Sequence, residues 1–583
     1  MSTTAATVAR LRPAAGLWRR FVSLKTLVLL LVVAAIAYLA LVPIGYLLWQ
    51  TFVRDGAITA DAFRKAYSGV GIGTMMLNSL WFAAGTTTLA VGLGTLLAYL
   101  IVRTDVPGKR LMFAASLVPL IIPGILHTIA WIFLADEHIG VVNQHFVEPL
   151  TGGRAFNVLS VWGMIWVEGL HLAPLVFLLM VAAFRSMDPA LEESAIMSGA
   201  PLRTVFRRVT APLVRPALYA AILIMAVRSL ESFEVPALLG LPNGFWVFTS
   251  RIWTALNEKP PSYAKAGALA MTLLVITSLG VLWQSRLTKR ARAYQTVTGK
   301  GFRPRPVQLG VWRLPALLFV CVYFFVAVVL PLGIIAYAST QRFYSPPSHK
   351  TLSNMTIDQY KDVIHNDLIL TAVKNSLILG LGVATAVMLV TAIASWIVVR
   401  TRVPGRWLVD NLAFLPLVVP GLVLGVALLF VYLRVDHVSL GLFQIQIYGT
   451  LLILFIAYFT RYMPYGMRYA STSMYQIGRE LEESAQTSGA NWFQSFRRVV
   501  LPLLMPGLVA GWIYILIVSV RELSSSILLY RPGKEVLSIV IWEQYQNGQF
   551  TQLAALGMMM VGALVVLVTI AYKLGARIGV REA

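Results

Sequence analysis

The chain has 583 residues, of which 58% are hydrophobic and only 13% are charged, whereas soluble globular domains carry about 25% charged residues. This composition excludes an ordinary soluble domain. The 48 Lys and Arg residues against 25 Asp and Glu give a net charge of +23, a balance that nucleic-acid-binding proteins also show. With one cysteine, Cys321, the chain offers neither a disulfide framework nor a cysteine-based metal site.

Apolar runs of roughly 20 residues, the length that crosses a bilayer as a helix, recur along the whole chain. We therefore predict an all-α polytopic membrane protein with twelve transmembrane helices. In chain order the predicted spans are 27–52, 77–102, 112–135, 158–183, 214–239, 266–284, 314–338, 372–399, 408–433, 449–470, 507–530 and 552–573. The first run is long and has no small-residue cleavage site after it, so it is expected to be an uncleaved span rather than a signal peptide.

The basic residues are distributed unevenly between the connections. Of the 48 Lys and Arg residues, 32 fall in alternate connections, which include residues 1–26, 286–313 and 573–583. Under the positive-inside rule these connections and both termini are cytoplasmic. The membrane is expected to be a bacterial inner membrane. Topology and contact with anionic membrane lipid explain the excess charge, so we expect no nucleic-acid partner.

An internal repeat is the most informative feature of the chain. LEESAIMSGAPLRTVFRRVTAPLVRP at 191–216 and LEESAQTSGANWFQSFRRVVLPLLMP at 481–506 are identical at 15 of 26 positions. Two shorter repeats precede them: RTDVPG and RTRVPG, and PLIIPG and PLVVPG, which begin at residues 103, 400, 119 and 416. The chain is therefore expected to contain two homologous six-helix halves.

The two halves are expected to have parallel orientation, because six spans return the chain to the side on which it started. This disfavours the inverted repeats that are common in secondary transporters. The predicted division is an N-terminal tail at 1–26, a first domain at 27–285 with the repeated loop at 185–216, a basic linker at 286–313, a second domain at 314–574 with the loop at 475–506, and a tail at 575–583.

The first copy of the repeat begins as a helix, because Asp188 can accept a backbone N–H as the N-cap and Pro189 is tolerated at the first helical position. Apolar residues then recur every three or four positions until Gly199, where we expect a bend, and a second helix leads through Pro212 into the next span. One such loop is explained by packing under its own bundle. Two copies favour docking to a partner with two equivalent grooves.

Both copies resemble the motif E-A-A-x3-G-x9-I-x-L-P of the permease subunits of binding-protein-dependent ABC importers. The matching residues are Glu193, Ala195, Gly199 and Pro212 in the first copy and Glu483, Ala485, Gly489, Leu501 and Pro502 in the second. The departures, all small or apolar, are Ser194, Val209, Ala211, Ser484 and Val499. The resemblance covers nearly the whole chain and implies two parallel six-helix permease domains of the type I, MetI-like class.

The resemblance implies a transport subunit that is not itself an enzyme. In such permeases each loop is a coupling helix in a groove of an ATPase subunit. The implied coupling residues are Glu192, Glu193, Ala195, Gly199, Pro212, Glu482, Glu483, Ala485, Gly489 and Pro502. The implied partners are two copies of an ATP-binding subunit, a periplasmic or lipid-anchored substrate-binding protein and membrane lipid.

We expect no cofactor in this chain. Each Gly-Lys pair lacks the Ser or Thr that follows Lys in a P-loop. ATP and magnesium are therefore expected on the partner subunits.

Two further strings narrow the resemblance. VRSLESFEVPALLGLP from Val227 and VRELSSSILLYRPGKEVLSIVIWEQYQNG from Val520 are similar to the fused permeases of ferric-iron importers, with relatives for thiamine, polyamines and phosphonates. The resemblance therefore implies uptake of ferric iron, with the other three substrates as alternatives.

These strings also contain the candidate residues of the substrate pathway, because charges within spans usually face a cavity or a partner. They are Arg228, Glu231, Glu234, Arg521 and Glu522. The carboxylates offer hard oxygen ligands for a hard cation, whereas the arginines favour an anion or the anionic chelate of a metal. A third interpretation is structural: the arginines pair with neighbouring carboxylates and hold the helices together.

Other residue patterns define no further site. Glu168 and His171 lie three apart on one helix face, a spacing that can ligate metal, but we expect a hydrogen-bonded structural pair because further ligands are missing from the pattern. The sequence has no catalytic cluster that would support a membrane-embedded enzyme. The remaining alternative, an ATP-independent channel or secondary transporter, leaves the paired loops unexplained.

Overall fold

The computed structural model describes residues 24–54, 56–69, 71–153, 156–292, 306–401, 403–435, 437–440 and 443–577, and most of these residues are helical. Parts of the predicted tails and linker lie outside the described residues. These parts are residues 1–23 and 578–583 of the tails and residues 293–305 of the linker.

The first half is built from twelve α-helices among the described residues. They are α1 (Leu24–Phe52), α2 (Asp61–Tyr67), α3 (Ile72–Arg103), α4 (Lys109–Leu117), α5 (Gly124–Ala135), α6 (Glu148–Thr151), α7 (Val161–Arg185), α8 (Pro189–Met197), α9 (Leu202–Val205), α10 (Ala211–Glu231), α11 (Phe248–Asn257) and α12 (Tyr263–Arg292).

The second half repeats most of this order. Its helices are α13 (Arg313–Phe324), α14 (Leu330–Ala338), α15 (His349–Ser353), α16 (Asp358–His365), α17 (Asp367–Arg400), α18 (Arg406–Phe414), α19 (Gly421–Arg434), α20 (Leu451–Gln476), α21 (Arg479–Thr487), α22 (Trp492–Ser495), α23 (Leu501–Val520), α24 (Leu537–Gln546) and α25 (Phe550–Arg577).

Short segments of other geometry connect these helices. The 3-10 turns are Val118–Leu120, Leu241–Asn243, Gly310–Trp312, Leu415–Val418 and Ser526–Leu528, and the π-helical turns are Asn143–Val147, Phe206–Thr210, Pro236–Gly240, Phe325–Val329 and Phe496–Val500. Two antiparallel hairpins join β1 (Val53–Arg54) to β2 (Ala57–Ile58) and β3 (His437–Leu440) to β4 (Phe443–Gln446).

The described residues contain nine helices that are long and apolar enough to cross a membrane, or eleven if two bent helix pairs each count as one span. The predicted span at 449–470 corresponds to α20, which is not among them and carries Arg461 and Arg468. Both arginines lie within the helix rather than at its ends.

The predicted spans at 112–135 and 408–433 are broken rather than straight. The chain bends by 95° before α5 and by 107° before α19, at the repeated strings PLIIPG and PLVVPG. Each string contains two prolines, which lack a backbone N–H and disfavour a helical conformation in the preceding residue. The break exposes carbonyl groups that need new donors.

Donors from the opposite half bind these carbonyl groups. The Arg521 guanidinium, from the second half, donates a hydrogen bond to the carbonyl of Leu120. The Thr277 hydroxyl, from the first half, lies 3.2 Å from the carbonyl of Val418 and shares its one proton between this carbonyl and those of Leu273 and Leu274. Each break is thus stabilised by the half to which it does not belong.

The halves are further intertwined through their first helices. Tyr38 of α1 and Tyr432 of α19 share a hydrogen bond of 2.9 Å between their hydroxyls. After α14, the ring of Tyr344 stacks on Phe133 of α5 at 4.1 Å between centroids, and its hydroxyl donates to the Phe133 carbonyl at 2.9 Å. The first helical segment of each half therefore packs against the other half.

The second and fourth long helices of each half approach closely, and glycine permits this in both halves. A Cβ on Gly94 of α3 would lie 2.6 Å from the Val176 Cβ of α7. In the second half the glycine is on the other helix, where a Cβ on Gly466 of α20 would lie 2.9 Å from the Thr391 hydroxyl of α17. Gly94 corresponds in the repeat to Thr391, and Val176 corresponds to Gly466. The glycine is therefore on the second long helix in the first half and on the fourth long helix in the second half.

This exchange predicts a compensating pair of substitutions. Gly94→Thr alone should destabilise the first half by about 1–3 kcal/mol, because the added atoms overpack the helix contact. Gly94→Thr combined with Val176→Gly removes the contact with the Val176 Cβ but keeps those with the Ala173 carbonyl at 2.6 Å and the Phe177 amide at 2.8 Å, so it should recover only a small part of the loss. The measurement is the apparent free energy of unfolding in detergent.

Gly73→Thr serves as the control, because Gly73 lies on the same helix and a Cβ there meets nothing within 4 Å. Equal destabilisation by Gly73→Thr and Gly94→Thr, or a double variant worse than the single, would contradict the packing argument.

Candidate functional site

A polar cavity of about 220 Å³ lies between the two halves. All five predicted pathway residues line it: Arg228, Glu231, Glu234, Arg521 and Glu522. The rest of the lining comes from α5, α7 and the residues that follow α10 in the first half, and from α20, α23 and the residues that follow α23 in the second. The structure thus brings together residues that lie up to 294 positions apart between Arg228 and Glu522.

The cavity forms where the predicted spans end early. The spans predicted at 214–239 and 507–530 are too long, because α10 ends at Glu231 and α23 ends at Val520. Arg521 and Glu522 therefore follow the end of α23, and Glu234 lies beyond a two-residue break after α10, at the start of the next helical turn. Backbone that leaves a helix at membrane depth is tolerated where it lines a cavity.

The glycines of the helix breaks make room for charged side chains. A Cβ on Gly124 would collide with the Glu234 carboxylate, and a Cβ on Gly421 would collide with the Arg461 guanidinium. The two glycines correspond in the repeat. Equivalent breaks therefore admit an acidic side chain in one half and a basic side chain in the other.

Glu522 is the most tightly held of the acidic residues. Its carboxylate accepts hydrogen bonds from the Tyr462 hydroxyl at 2.7 Å and from the backbone and hydroxyl of Ser525 at 3.1 Å. The Arg461 Nε lies 3.2 Å from the same carboxylate, whose side chain is only 7% exposed. Glu522 is thus bonded within the second half, in agreement with the structural interpretation of this residue.

Arg228 connects the halves, because its guanidinium donates a hydrogen bond of 2.6 Å to the hydroxyl of Tyr465 on α20. Its other terminal nitrogen is 3.9 Å from the Glu231 carboxylate. Glu234 differs from both: no hydrogen bond or ion pair joins it to any residue that the structure describes. Its carboxylate is therefore the acidic group of the cavity that is most available to a substrate.

The first half supplies both imidazoles and three of the four carboxylates of the cavity, together with Arg228. The second half supplies the other two arginines and all three phenols, together with Glu522. The offset of 290 that relates the repeated loops also relates Pro174 to Pro464 within α7 and α20. By that offset Arg461 occupies the position of His171, and Arg521 occupies the position of Glu231. The cavity is therefore asymmetric in charge although its walls are repeated.

Glu168 and His171 do not form the predicted hydrogen-bonded pair. Glu168 is buried and its carboxylate bonds to the side chain of Ser232, which follows the early end of α10. The His171 ring lies against the buried ring of His127, with 5.7 Å between centroids. Within the described parts of the chain, no group of three or more His, Cys, Asp and Glu residues is placed to hold a metal ion.

Sequence reasoning missed five titratable residues that line the cavity: His127, Arg461, Tyr462, Tyr465 and Tyr514. Arg461 could have been found, because an arginine inside an otherwise apolar run marks an interior-facing position. It also aligns with His171 in the repeat. The tyrosines and His127 gave no comparable signal, since aromatic residues are common in membrane helices.

The repeated loops form the second part of the candidate site, at the far end of α7 and α20. Helices α8 and α21 both end in a glycine with positive φ, +81° at Gly199 and +90° at Gly489. The residue after each glycine donates to the carbonyl five positions back, to Ala195 and Ala485, at 3.0 Å. This is a Schellman turn, which glycine favours because it has no Cβ.

The two predicted coupling residues Glu192 and Glu482 are buried against their own bundle. Glu192 forms an ion pair with Arg103 and accepts a hydrogen bond of 2.6 Å from Thr210. Glu482 lies 3.9 Å from Arg400 and accepts a hydrogen bond of 3.1 Å from the Trp396 indole. Each pair joins the repeated RTxVPG string to the repeated loop, so these carboxylates hold the loop in place.

The following positions are more accessible. Glu193 is half-buried, and one of its carboxylate oxygens has no hydrogen-bond partner among the described residues. Glu483 is exposed. Leu191 and Met197 on α8, and Leu481 on α21, are also exposed. The prolines Pro212 and Pro502 stand in the first turn of α10 and α23, where their missing N–H is tolerated.

The fold and these two loops define a multi-pass membrane transport component made of two repeats. The family model described as "Binding-protein-dependent transport system inner membrane component" matches residues 90–293 and 388–579. These regions cover more than half of the chain and place one match in each half. The chain belongs to this family, as a fused permease.

Several curated proteins are similar to this chain over most of its length. The Fe(3+)-transport system permease protein FbpB 2 of Haemophilus influenzae is 26% identical over 488 residues, which are 84% of this chain and 87% of that protein. The probable ABC transporter permease protein y4fN of Sinorhizobium fredii is 25% identical over 524 residues, 88% of this chain and 89% of that protein.

A single-domain relative matches a shorter region. The sulfate transport system permease protein CysT of Salmonella typhimurium is 32% identical over 235 residues, which are 40% of this chain and 85% of that protein.

The buried ion pair of the first loop generates a prediction. Arg103→Gln leaves the Glu192 carboxylate without its cationic partner and should lower the free energy of unfolding by about 3–5 kcal/mol. Adding Glu192→Gln removes the unpaired charge and should recover much of this loss. Unfolding in detergent measures both effects.

The matched variant Arg400→Gln in the second half should cost less, because Arg400 lies 3.9 Å from Glu482, beyond hydrogen-bonding distance, whereas Arg103 donates a hydrogen bond directly to Glu192. A larger loss for Arg400→Gln than for Arg103→Gln, or no recovery in the double variant, would show that the pair does not hold the loop.

Proposed function

We propose that this chain is the transmembrane subunit of an ATP-driven importer and provides both halves of one translocation pathway. The observation that carries this proposal is the pair of loops, each fixed to its bundle by a repeated Arg–Glu contact and each exposing apolar residues beyond it. Membership in the binding-protein-dependent family supports it. The expected assembly is one permease, two ATPase subunits and one substrate-binding protein.

The loops are proposed to transmit the movement of the ATPase subunits. Because Glu192 and Glu482 tie the loops to Arg103 and Arg400 at the ends of α3 and α17, a displacement of either loop pulls on a long helix. These helices pack closely on α7 and α20, which carry cavity residues. Closure of two ATPase subunits would then alternate access to the cavity from the two sides.

The proposed topology has twelve spans, with α20 and the two bent pairs as spans of their own, and with both termini cytoplasmic. The eleven apolar candidates support this count when α20 is added. Arg461 on α20 faces the cavity and pairs with Glu522, which explains how a charged helix crosses the membrane. The domain division at 27–285 and 314–574 follows from the same topology.

The coupling proposal is tested by substituting the two loop glycines. Gly199→Val with Gly489→Val should reduce ATP-dependent uptake to about a tenth or less, because each β-branched residue at positive φ costs on the order of 1–3 kcal/mol. Co-purification of the ATPase should fall in parallel. The assay is uptake by proteoliposomes that contain the permease, its ATPase and a loaded binding protein.

Gly548→Val is the matched control. Gly548 also has positive φ, at +71°, and a Cβ there meets nothing within 4 Å, but it lies outside the loops. Uptake without any ATPase would refute the importer proposal and support a channel or carrier. Loop variants that retain full uptake and full ATPase binding would refute the assigned role of the loops.

We propose ferric iron as the imported substrate. The similarity to the ferric permease of Haemophilus influenzae supports this assignment. The unpaired Glu234 carboxylate supplies a hard oxygen ligand inside the cavity, of the kind that hard cations prefer. Thiamine, a polyamine or a phosphonate within the same importer class are the alternatives.

An anionic substrate is the second candidate, and specific residues favour it. Arg228, Arg461 and Arg521 line the same cavity, and the chain is also similar to a sulfate permease. The anionic chelate of ferric iron would offer a metal to the Glu234 carboxylate and negative charge to the three arginines.

Two substitutions separate the cation from the anion. If the cavity passes a cation, Glu234→Gln should lower uptake of radioactive ferric iron about tenfold, equivalent to about 1.4 kcal/mol, and Arg228→Gln should not lower it. If it passes an anionic chelate, Arg228→Gln should show the larger loss. Tyr465→Phe is the control, because it removes the hydrogen bond of Arg228 and keeps the charge.

Unchanged uptake in both charge variants would exclude this cavity as the pathway. The intact protein could fail to take up iron and still take up the substrate of another binding protein. That result would refute iron as the substrate and would leave the importer proposal intact.

A further inference from the structure

A second, apolar groove of about 860 Å³ lies on the outside of the first half, away from the polar cavity. We name it the first-half groove. Its walls include Gly92, Thr95 and Tyr99 of α3, Ile222 of α10, and Trp312 of the segment that precedes α13, and Arg203 lies at its rim. The residues of α3 and α10 belong to membrane-spanning helices, so the groove is next to lipid acyl chains.

The second half carries larger side chains at the equivalent place. Gly92 and Ile222 correspond in the repeat to Leu389 and Trp512. The Trp512 indole lies across α17 and donates a hydrogen bond of 3.0 Å to the Thr385 hydroxyl. In the first half a Cβ on Gly92 would meet nothing within 4 Å. The first-half groove is therefore open at positions where the second half carries the larger side chains of Leu389 and Trp512.

The last residues of the predicted linker, which lead into the second half, form one wall of the groove. Val307 donates to the Arg103 carbonyl at 2.8 Å, and its own carbonyl accepts from Asp105 at 3.1 Å. The Leu309 amide donates to the Asp105 carboxylate at 3.0 Å. These bonds fix residues 307–309 beside the end of α3 and bring Trp312, whose side chain is 69% exposed, to the groove.

The rim of the groove is cationic. Arg203 stands where the second half has Phe493, and it is exposed together with the nearby Arg207 and Arg208. An apolar groove in the membrane with exposed arginines at its end matches a molecule that has an acyl chain and an anionic headgroup. Tryptophan at the same level is typical of the membrane–water interface.

We propose that the first-half groove is a binding site for one anionic phospholipid. An acyl chain would lie along Gly92, Thr95 and Ile222, and the phosphate would contact the rim arginines, Arg203 first. The lipid would contact the loop that carries Glu192 as well as the first residues of the second half, so it would hold together two segments that must move during transport.

The experiment is native mass spectrometry of the full chain released from nanodiscs that contain equal amounts of phosphatidylglycerol and phosphatidylcholine. The intact protein should retain one phosphatidylglycerol. Gly92→Leu with Ile222→Trp should lose it, because these residues reproduce the covered surface of the second half. Arg203→Phe should lower the preference for phosphatidylglycerol about fivefold, the effect of one cation near a membrane surface.

The reciprocal variant guards against a general loss of folding. Leu389→Gly with Trp512→Ile changes the same two positions in the second half, which has Phe493 in place of Arg203, and should leave the single retained phosphatidylglycerol unchanged. Equal retention of phosphatidylglycerol by the intact protein and by Gly92→Leu with Ile222→Trp would overturn the proposal. Retention that shows no headgroup preference, or a groove occupied by linker residues 293–305 in a structure of the protein in nanodiscs, would overturn it as well.

Discussion

The break in a membrane helix at each PxxPG string is the constraint on which the rest of the structure depends. Proline interrupts the backbone hydrogen bonds, and hydrocarbon offers no water to replace them. The carbonyls of Leu120 and Val418 are satisfied by Arg521 and Thr277, each from the opposite half. The halves are therefore joined at the points where their helices are weakest. The polar cavity forms at the same place, because the breaks and the early ends of α10 and α23 open space between the bundles.

The duplication fixes the backbone of both halves more strictly than their side chains. The loops retain the same Schellman turn and the same buried Arg–Glu contact, which suits a role that must be performed twice. The cavity positions have diverged instead, with His171 against Arg461 and Glu231 against Arg521. A substrate in the cavity meets two chemically different walls, whereas the two loops present nearly the same surface. This contrast is expected where one partner is two-fold symmetric and the cargo is a single small particle.

Much of the candidate site could be predicted from sequence because intramembrane charge is rare. Arg228, Glu231, Glu234, Arg521 and Glu522 stand out in apolar strings, and all five line one cavity. Their individual contacts could not be predicted. Glu192 was expected at a partner surface and instead pairs with Arg103, 89 positions away, because both side chains are buried at the end of α3. The tyrosines around Arg228 were missed, since periodicity does not distinguish an aromatic residue that faces lipid from one that faces a cavity.

The sequence by itself determined the membrane class, the two-fold repeat, the position of the loops and the family. Each of these rests on local composition or on identity between two segments, which need no knowledge of packing. The tertiary structure alone decided that two predicted spans bend and that the halves cap each other's broken helices. It also decided that Glu234 has no hydrogen bond or ion pair among the described residues, while Glu522 is held by four groups. Those outcomes depend on contacts between residues hundreds of positions apart, and only the folded arrangement brings such residues within hydrogen-bonding distance.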